Sequence, residues 1–361
     1  MKSHYKLLGD YIREVNVRNS ELKDLNLLGI SIQKEFIPSI ANTIGTDMAK
    51  YKIVKRNQFA YGTVTSRNGD KISIALLQDY DEALISQAYI SFEVIDENKL
   101  SPEYLMMWFR RQEFDRYARY MSYGSAREVF SWDEMCNVKL PVPTIEKQRE
   151  IVKEYNIILN RIKLNENMIN KLEDLAQTIY KQWFVDFEYP DNGEVVETPE
   201  NWEVLNLESI IDFNNGKKVD GGAGEIPIYG GNGILGYTKD SNAENGIAIG
   251  RVGAYCGIAY REFGKMWVSD NGIFAKDKEE LNNYAFYLIS NLNLNERAEG
   301  TGQPLVTQNM LKNISISLPP KVLRQEFDRK IGKILTLIDN QKREIKMLYL
   351  LREINLSMIS K

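Results

Sequence analysis

The chain has 361 residues, 43% hydrophobic and 27% charged, which suits two globular domains, and no apolar run approaches the roughly 18 residues of a membrane span. His4 is the single histidine, which excludes Ser-His-Asp triads, Cys–His pairs and His-rich metal sites; Cys136 and Cys256 form no metal-type spacing and are expected as buried free thiols. The net charge of −4 argues against a simple DNA-coating protein, and the uneven spread (10 basic against 18 acidic residues over 191–320, 10 against 5 over 321–361) confines any nucleic-acid surface to a local patch.

In chain order, "MKSHYKLLGD" lacks the apolar core of a signal peptide, so a cytoplasmic protein is expected. Residues 51–76 read as short strands, with a hairpin turn at "RNGD" between "YKIVKRNQFAYGTV" and "KISIALL". "SPEYLMMWFRRQEFDRYARYM" predicts one helix, with Ser101 as N-cap and Pro102 at the first position. From Ile145 to Phe184 the pattern predicts a helix about 60 Å long at ~1.5 Å per residue. Its positions 151, 155, 158, 162, 165, 169, 172, 176, 179 and 183 alternate by four and three and are mostly apolar, which is a coiled-coil seam. "YPDNGEVVETPEN" follows as a linker rich in Pro, Gly and acids. Then "NGIAIGRVGAYCGIAYR" predicts strands broken by glycines, and "NNYAFYLISNLNLNERA" a helix. A second seam runs from Phe327 through Ile331, Ile334, Ile338, Gln341, Ile345, Leu348, Arg352 and Asn355 to Ile359.

The two halves repeat each other at a shift of 176 positions. Gly124 falls on Gly300, Val129 on Leu305, Ser131 on Thr307, Asn137 on Asn313, Pro143 on Pro319 and Ile162 on Ile338. Upstream the match needs gaps, yet "FAYGTV" from Phe59 still resembles "IAIGRV" from Ile247. The chain thus reads as a globular module followed by a long helix, twice. Asn165 and Gln341 occupy equivalent seam positions, and antiparallel pairing of the helices within one chain would bring these amides near each other to fix the register.

Catalytic motifs do not emerge. "GNGILG" from Gly231 matches a dinucleotide-binding fingerprint by letter, but no helical pattern follows it, so its glycines are expected to serve tight turns. A P-loop is missing, as is the Asn-Pro-Pro-aromatic motif of amino-methyltransferases, and no acid-x-Lys completes a nuclease site after "PDNGEVVETPENW". A binding protein is therefore expected.

Several strings resemble a known family, the specificity subunits of Type I restriction-modification enzymes. "LPVPTIEKQREI" and "SLPPKVLRQEF" resemble the starts of its two conserved helices, and "YKQWFVDFEYP" the end of its central conserved region. "NWEVLNLESIIDFNNGKK", "IPIYGGNGILGY", "GRVGAYCG" and "GTGQPLV" resemble its second recognition domain. The second helix departs from the pattern, with Arg352 and Asn355 on the seam and no counterpart of "WFVDF". The resemblance implies an α+β chain with target-recognition domains at 1–142 and 189–318 and long helices at 143–188 and 319–361, the helices pairing as an antiparallel coiled coil. It implies a non-catalytic subunit that reads an asymmetric bipartite site in double-stranded DNA, with half-sites spaced by roughly one helical turn of about 34–36 Å. It also implies two methyltransferase subunits, which would hold S-adenosylmethionine and flip adenines, and a restriction and translocase subunit. The competing expectations are a coiled-coil scaffold without DNA binding and a fused endonuclease-methyltransferase.

Residues expected to meet DNA lie in glycine-flanked loops with basic and amide groups: Ser66, Arg67, Asn68, Lys71, Tyr123, Ser125 and Arg127 in the first half, and Lys217, Lys218, Lys239, Arg251 and Tyr255 in the second. Those expected to dock partners are Gln148, Arg149, Trp183 and Phe184.

Overall fold

The structure, a computed structural model, describes residues 5–40, 45–66, 69, 71–123, 128–188, 202–219, 222–300 and 304–359. His4 and the linker from Pro190 to Asn201 lie outside the described residues. The first half lays down β1 (Tyr5–Leu7), β2 (Ile12–Val15), β3 (Val17–Arg18), β4 (Leu27–Ile30), β5 (Phe36–Pro38), β6 (Lys52–Lys55), β7 (Phe59–Gly62), β8 (Ile74–Leu76), β9 (Glu82–Ile85) and β10 (Tyr89–Val94). Then come α1 (Pro102–Arg110), α2 (Gln112–Tyr120), α3 (Trp132–Cys136), β11 (Lys139–Pro141) and α4 (Ile145–Phe184). The second half adds β12 (Glu203–Asn206), β13 (Ile211–Asn215), β14 (Ile226–Gly230), β15 (Gly233–Thr238), β16 (Ala243–Gly250), β17 (Ala259–Val268) and β18 (Gly272–Asp277). It closes with α5 (Asn282–Ser290), α6 (Gln308–Lys312), β19 (Ser315–Leu318) and α7 (Lys321–Met358).

The chain divides into two compact units, Met1–Asn165 with Glu344–Lys361, and Glu166–Arg343. The division runs through both long helices, so each unit owns a stretch of each. In the first unit, a four-stranded sheet in the order β2-β10-β7-β8 carries an aromatic core. Phe59 and Phe92 sit opposite each other across β7 and β10 and stack at 4.8 Å, and Phe109 meets Phe59 edge-on at 5.7 Å. A five-stranded sheet in the order β3-β6-β9-β4-β5 holds a smaller core of Leu28, Val54, Ala83 and Ile85. In the second unit, six strands run in the order β13-β18-β16-β17-β14-β15.

The repeat is visible bond by bond within the two units. β1 pairs with β11 through Tyr5–Pro141, and β12 pairs with β19, whose residues Ser315–Ser317 lie 176 positions beyond Lys139–Pro141. Ser131 caps α3 by accepting from the Glu134 amide, and Thr307 caps α6 by accepting from the Met310 amide. Val129 bridges Val64 and Tyr123; Leu305 bridges Val252 and Glu299. Residue choice at these positions preserves a backbone geometry, which is why the shift survives where side chains have changed.

The seam of α4 is buried as expected: Tyr155, Ile158, Ile162, Asn165, Ile169, Ala176 and Trp183 are each less than 9% exposed. Along α7, Phe327, Ile331 and Ile338 are buried, but Gln341, Ile345, Leu348, Arg352 and Asn355 are only half-buried, and Leu335 and Leu356 are buried off the expected seam. The helices pack antiparallel. In the first unit the Arg161 guanidinium meets Glu344 at 2.7 Å; in the second, Lys342 meets Glu173 at 3.4 Å and Tyr180 and Trp183 pack edge-on against Phe327.

Four expectations need correction. The helix expected over 101–121 breaks at Arg111, whose backbone is extended (ψ 142°) and whose guanidinium lies 4.3 Å from the Trp108 ring, so the chain turns to bury both. The second-half helix stops at Ser290, and Asn293 takes a left-handed backbone (φ 49°). The strand expected from Tyr51 is two strands: Asn57, left-handed at φ 65°, lets β6 join the five-stranded sheet while β7 joins the four-stranded one. Cys256 is buried, whereas Cys136 is half-buried. The "GNGILG" glycines form the β14–β15 hairpin, with Gly233 at φ 81°. No described helix is long and apolar enough to cross a membrane.

Candidate nucleic-acid interface

In the first unit, β7 and β8 pair antiparallel, as Phe59–Leu76 and Tyr61–Ile74 partners, so the described residues 63–66, 69 and 71–73 lie in the connection between them. The loop's start is pinned to a second segment: the Phe130 amide donates to the Thr63 carbonyl at 2.8 Å, and the Thr65 amide to the Glu128 carbonyl at 3.0 Å. Arg119 then meets the Glu128 carboxylate at 2.7 Å. These bonds bring residues 63–66 and 128–130 to one corner, where Val129 also bridges Tyr123. Ser66 and Lys71 are exposed there, and Tyr123 is 63% exposed. Arg67, Asn68, Ser125 and Arg127 lie outside the described residues.

The second unit builds the same corner. β16 ends at Gly250, and the loop 251–258 carries Arg251 and Tyr255 before β17 begins. Val306 donates from its amide to the Arg251 carbonyl, and Gly253 to the Pro304 carbonyl, at 2.9 and 3.0 Å. Gly253 and Gly257 take φ values of 89° and 84°, which only glycine adopts freely; a Cβ on Gly257 would also meet the Asn295 amide at 2.8 Å. Arg251 is half-buried, with its Nε buried and unbonded among the described residues, and Tyr255 is 50% exposed. Lys217 lies beside the neighbouring 268–272 turn. Lys217 donates its amide to the Val268 carbonyl and its own carbonyl accepts from the Trp267 indole at 2.8 Å; the Arg251 amide donates to the Asn271 carbonyl at 2.9 Å. Gly224 lies so close to Thr238 that a Cβ would sit 2.0 Å from its carbonyl, which puts Gly224 directly beside Lys239. Lys217, Lys218 and Lys239 are exposed. The arrangement can present mobile ammonium groups and one arginine to an anionic surface, and it gathers no metal-type cluster among the described residues.

The residues expected to dock partners divide. Gln148 is a correction: it is fully buried and spends its amide internally, accepting from the Ser101 amide at 2.8 Å and donating to the Lys99 and Pro143 carbonyls at 2.9 and 2.8 Å. Its counterpart 176 positions on, Arg324, is 4% exposed and donates to the Pro319 carbonyl at 3.1 Å and to Glu279 at 3.0 Å. Both side chains thus fasten the start of a long helix to its own globular module. Trp183, 3% exposed against Phe327 and the Lys330 ammonium, is a core anchor, and Phe184 is half-buried. Arg149 remains exposed, in a groove with Glu97, Lys153 and Asn156.

Sequence reading missed two exposed apolar surfaces. In the first unit, Ile157 and Leu164 on α4 and Met347, Leu350, Leu351 and Ile354 on α7 are each 48–66% exposed. In the second, Ile234, Leu235 and Tyr237 are 50–58% exposed on β15, the sheet's edge strand. The helical ones repeat by three, four and seven outside the seam, a signal that the stronger seam periodicity overshadows.

The family model described as Type I restriction modification DNA specificity domain matches the chain twice, over residues 23–174 and 199–355. The Type I restriction enzyme MjaIX specificity subunit of Methanocaldococcus jannaschii is 23% identical over 365 residues, covering 85% of this chain and 82% of that protein. The Type I restriction enzyme EcoprrI specificity subunit of Escherichia coli is 30% identical over 95 residues, covering 26% and 24%. Among solved structures, the S subunit of a Type I restriction-modification system from M. genitalium superposes with a TM-score of 0.62 at 14% identity, covering 99% of this chain and 96% of that one. A chain from a study of complex assembly and conformational transition of the type I R-M system gives 0.50 at 16% identity, covering 99% and 97%. With two matched modules spanning most of its length, each carrying the same pinned loop and long helix, this chain belongs to the family of Type I restriction-modification specificity subunits.

Proposed function

We propose that the chain reads an asymmetric, split sequence in double-stranded DNA, one half-site per unit, and supplies no chemistry of its own. The observation that carries this reading is the repeated corner: the loops after β7 and β16 are pinned by equivalent bridges, with Ser66, Lys71 and Tyr123 exposed at the first and Arg251 and Tyr255 on the second. Lysines at a loop surface suit phosphates, and Arg and Asn suit guanine and adenine edges. The two loops differ in sequence, so the two half-sites differ.

Two methyltransferase subunits, carrying S-adenosylmethionine, dock on the exposed apolar residues of the long helices, and a restriction and translocase subunit joins through them. Burying such a surface against a partner is the ordinary use of a contiguous exposed apolar patch. The low net charge fits this division, because partners would then supply much of the phosphate contact. The complex would work on cellular DNA, at the nucleoid in the cytoplasm.

The test is modification-sensitive sequencing of DNA from cells that express the cognate methyltransferase with or without this chain. A split methylated motif that appears only with the chain is expected. No such motif, with the methyltransferase still co-purifying, would favour a scaffold without DNA binding.

A further inference from the structure

A buried ion pair stands behind the first reading loop. Lys34, at the tip of the β4–β5 hairpin, is 4% exposed and takes a left-handed backbone (φ 67°). Its ammonium lies 2.8 Å from an Asp115 carboxylate oxygen on α2 and also donates to the Phe109 carbonyl. The same Asp115 oxygen accepts the Ile72 backbone amide at 3.2 Å. Ile72 is 1% exposed and follows Lys71, one of the exposed loop residues. One carboxylate oxygen thus ties three elements: the β4–β5 hairpin, α2, and the last turn of the 63–73 loop. The Lys71 charge lies close enough to depress the Lys34 ammonium further, although burial is the larger cause.

A buried ion pair is weak evidence of stability, because well-packed apolar residues often replace one without loss. Its geometric demand is another matter. Among the described residues of the other unit, the corresponding loop has no buried ion pair: Gly253 and Gly257 set its turns, and the neutral Asn295 amide donates to the Ala254 and Cys256 carbonyls. We infer that Lys34 and Asp115 are positioning residues that fix the register of the first loop, and hence the base preference of the first half-site alone. This inference rests on the DNA-reading function proposed above.

The experiment uses the full chain co-expressed with its methyltransferase, and reads methylation at genomic sites that differ by one base from the split motif. Lys71→Ala and Arg251→Ala first assign the two half-sites to the two units. Asp115→Asn then keeps the acceptor for the Ile72 amide but removes the charge facing Lys34. The double variant Lys34→Met with Asp115→Leu replaces the pair with apolar volume, so a folded complex is retained. With the double variant, methylation at sites mismatched in the first half-site should rise about tenfold relative to matched sites, as a mismatch normally costs roughly one such factor. Sites mismatched in the second half-site should stay as discriminated as in the wild type. Unchanged discrimination at both halves, or an equal loss at both, overturns the inference, since a merely stabilising pair would spare or weaken the halves alike. A wild-type chain that yields no split motif overturns the recognition reading itself, before any variant is made.

Discussion

Gln148→Ala tests the joint between the first long helix and its module. The side chain is fully buried and makes three hydrogen bonds to backbone groups, at Ser101, Lys99 and Pro143. Truncation orphans one donor and two acceptors in the interior, each of which costs about 1–3 kcal/mol when left unpaired. Some of that is recovered if water enters the space, so a net loss of about 3 kcal/mol is expected. The Ser101 amide also begins α1, where the Ser101 hydroxyl caps the Tyr104 amide, so the loss should spread into that helix. For a unit of this size, each kcal/mol shifts Tm by roughly 2–4 °C, giving a fall of about 6–12 °C. Thermal and urea unfolding of the full chain, with amide exchange of Ser101 followed alongside, would measure it. Gln148→Glu should be at least as damaging, because it keeps the acceptor for Ser101 but sets a carboxylate against two carbonyls. A loss under about 1 kcal/mol for both variants, with exchange at Ser101 unchanged, would show that the joint is not held in this way.

Four further outcomes follow. Trp183→Ala should cost about 3–5 kcal/mol in unfolding experiments, as expected for a buried aromatic packed on Phe327; a near-neutral result would return Trp183 to the partner surface. The Arg161 hydrogen bond holds the Glu344 carboxyl below its ordinary pKa, so their pairing helps fully above the unfolded value and is lost as pH falls through the folded one. The Tm gap between wild type and Arg161→Ala should therefore narrow toward acid, and a gap independent of pH would contradict the assignment. Lys217→Ala and Lys239→Ala should each flatten the log–log salt slope of DNA binding by about one, while variants that bind with the wild-type slope would remove them from the phosphate contacts. Leu350→Glu with Ile354→Glu should abolish co-purification of the methyltransferase subunits without lowering Tm, and retained co-purification would place the docking surface elsewhere.

Much of the architecture was legible because it rests on periodicity and local capping. The α4 seam and the Ser101 cap with Pro102 are both consequences of short sequence windows. The break at Arg111 was not legible, because no Gly or Pro marks it and the burial of Arg111 on Trp108 is a tertiary matter. The switch of β6 and β7 into different sheets hinges on one left-handed asparagine, which a strand pattern cannot weigh. Among the candidate residues, Gln148 was misjudged: a polar residue at a helix start reads as exposed unless its backbone partners, two of them more than 45 positions away, are known. The Lys34–Asp115 tie escaped for the same reason, as its partners stand 81 positions apart.

The first unit is completed by residues made after the whole of the second. Leu356 and Ile359 are buried in the same apolar cluster as Phe59, Phe92 and Tyr155. During synthesis, the first module must therefore wait, with part of its core unfilled, while residues 166–343 emerge and fold. Damage late in the reading frame then falls on the module that was translated first. A stop codon just before Glu344 would leave the second unit's own residues whole and deprive the first of its last core side chains. The order of translation and the order of completion run in opposite directions, which also makes the chaperone demand of the first module a function of how fast the second is read.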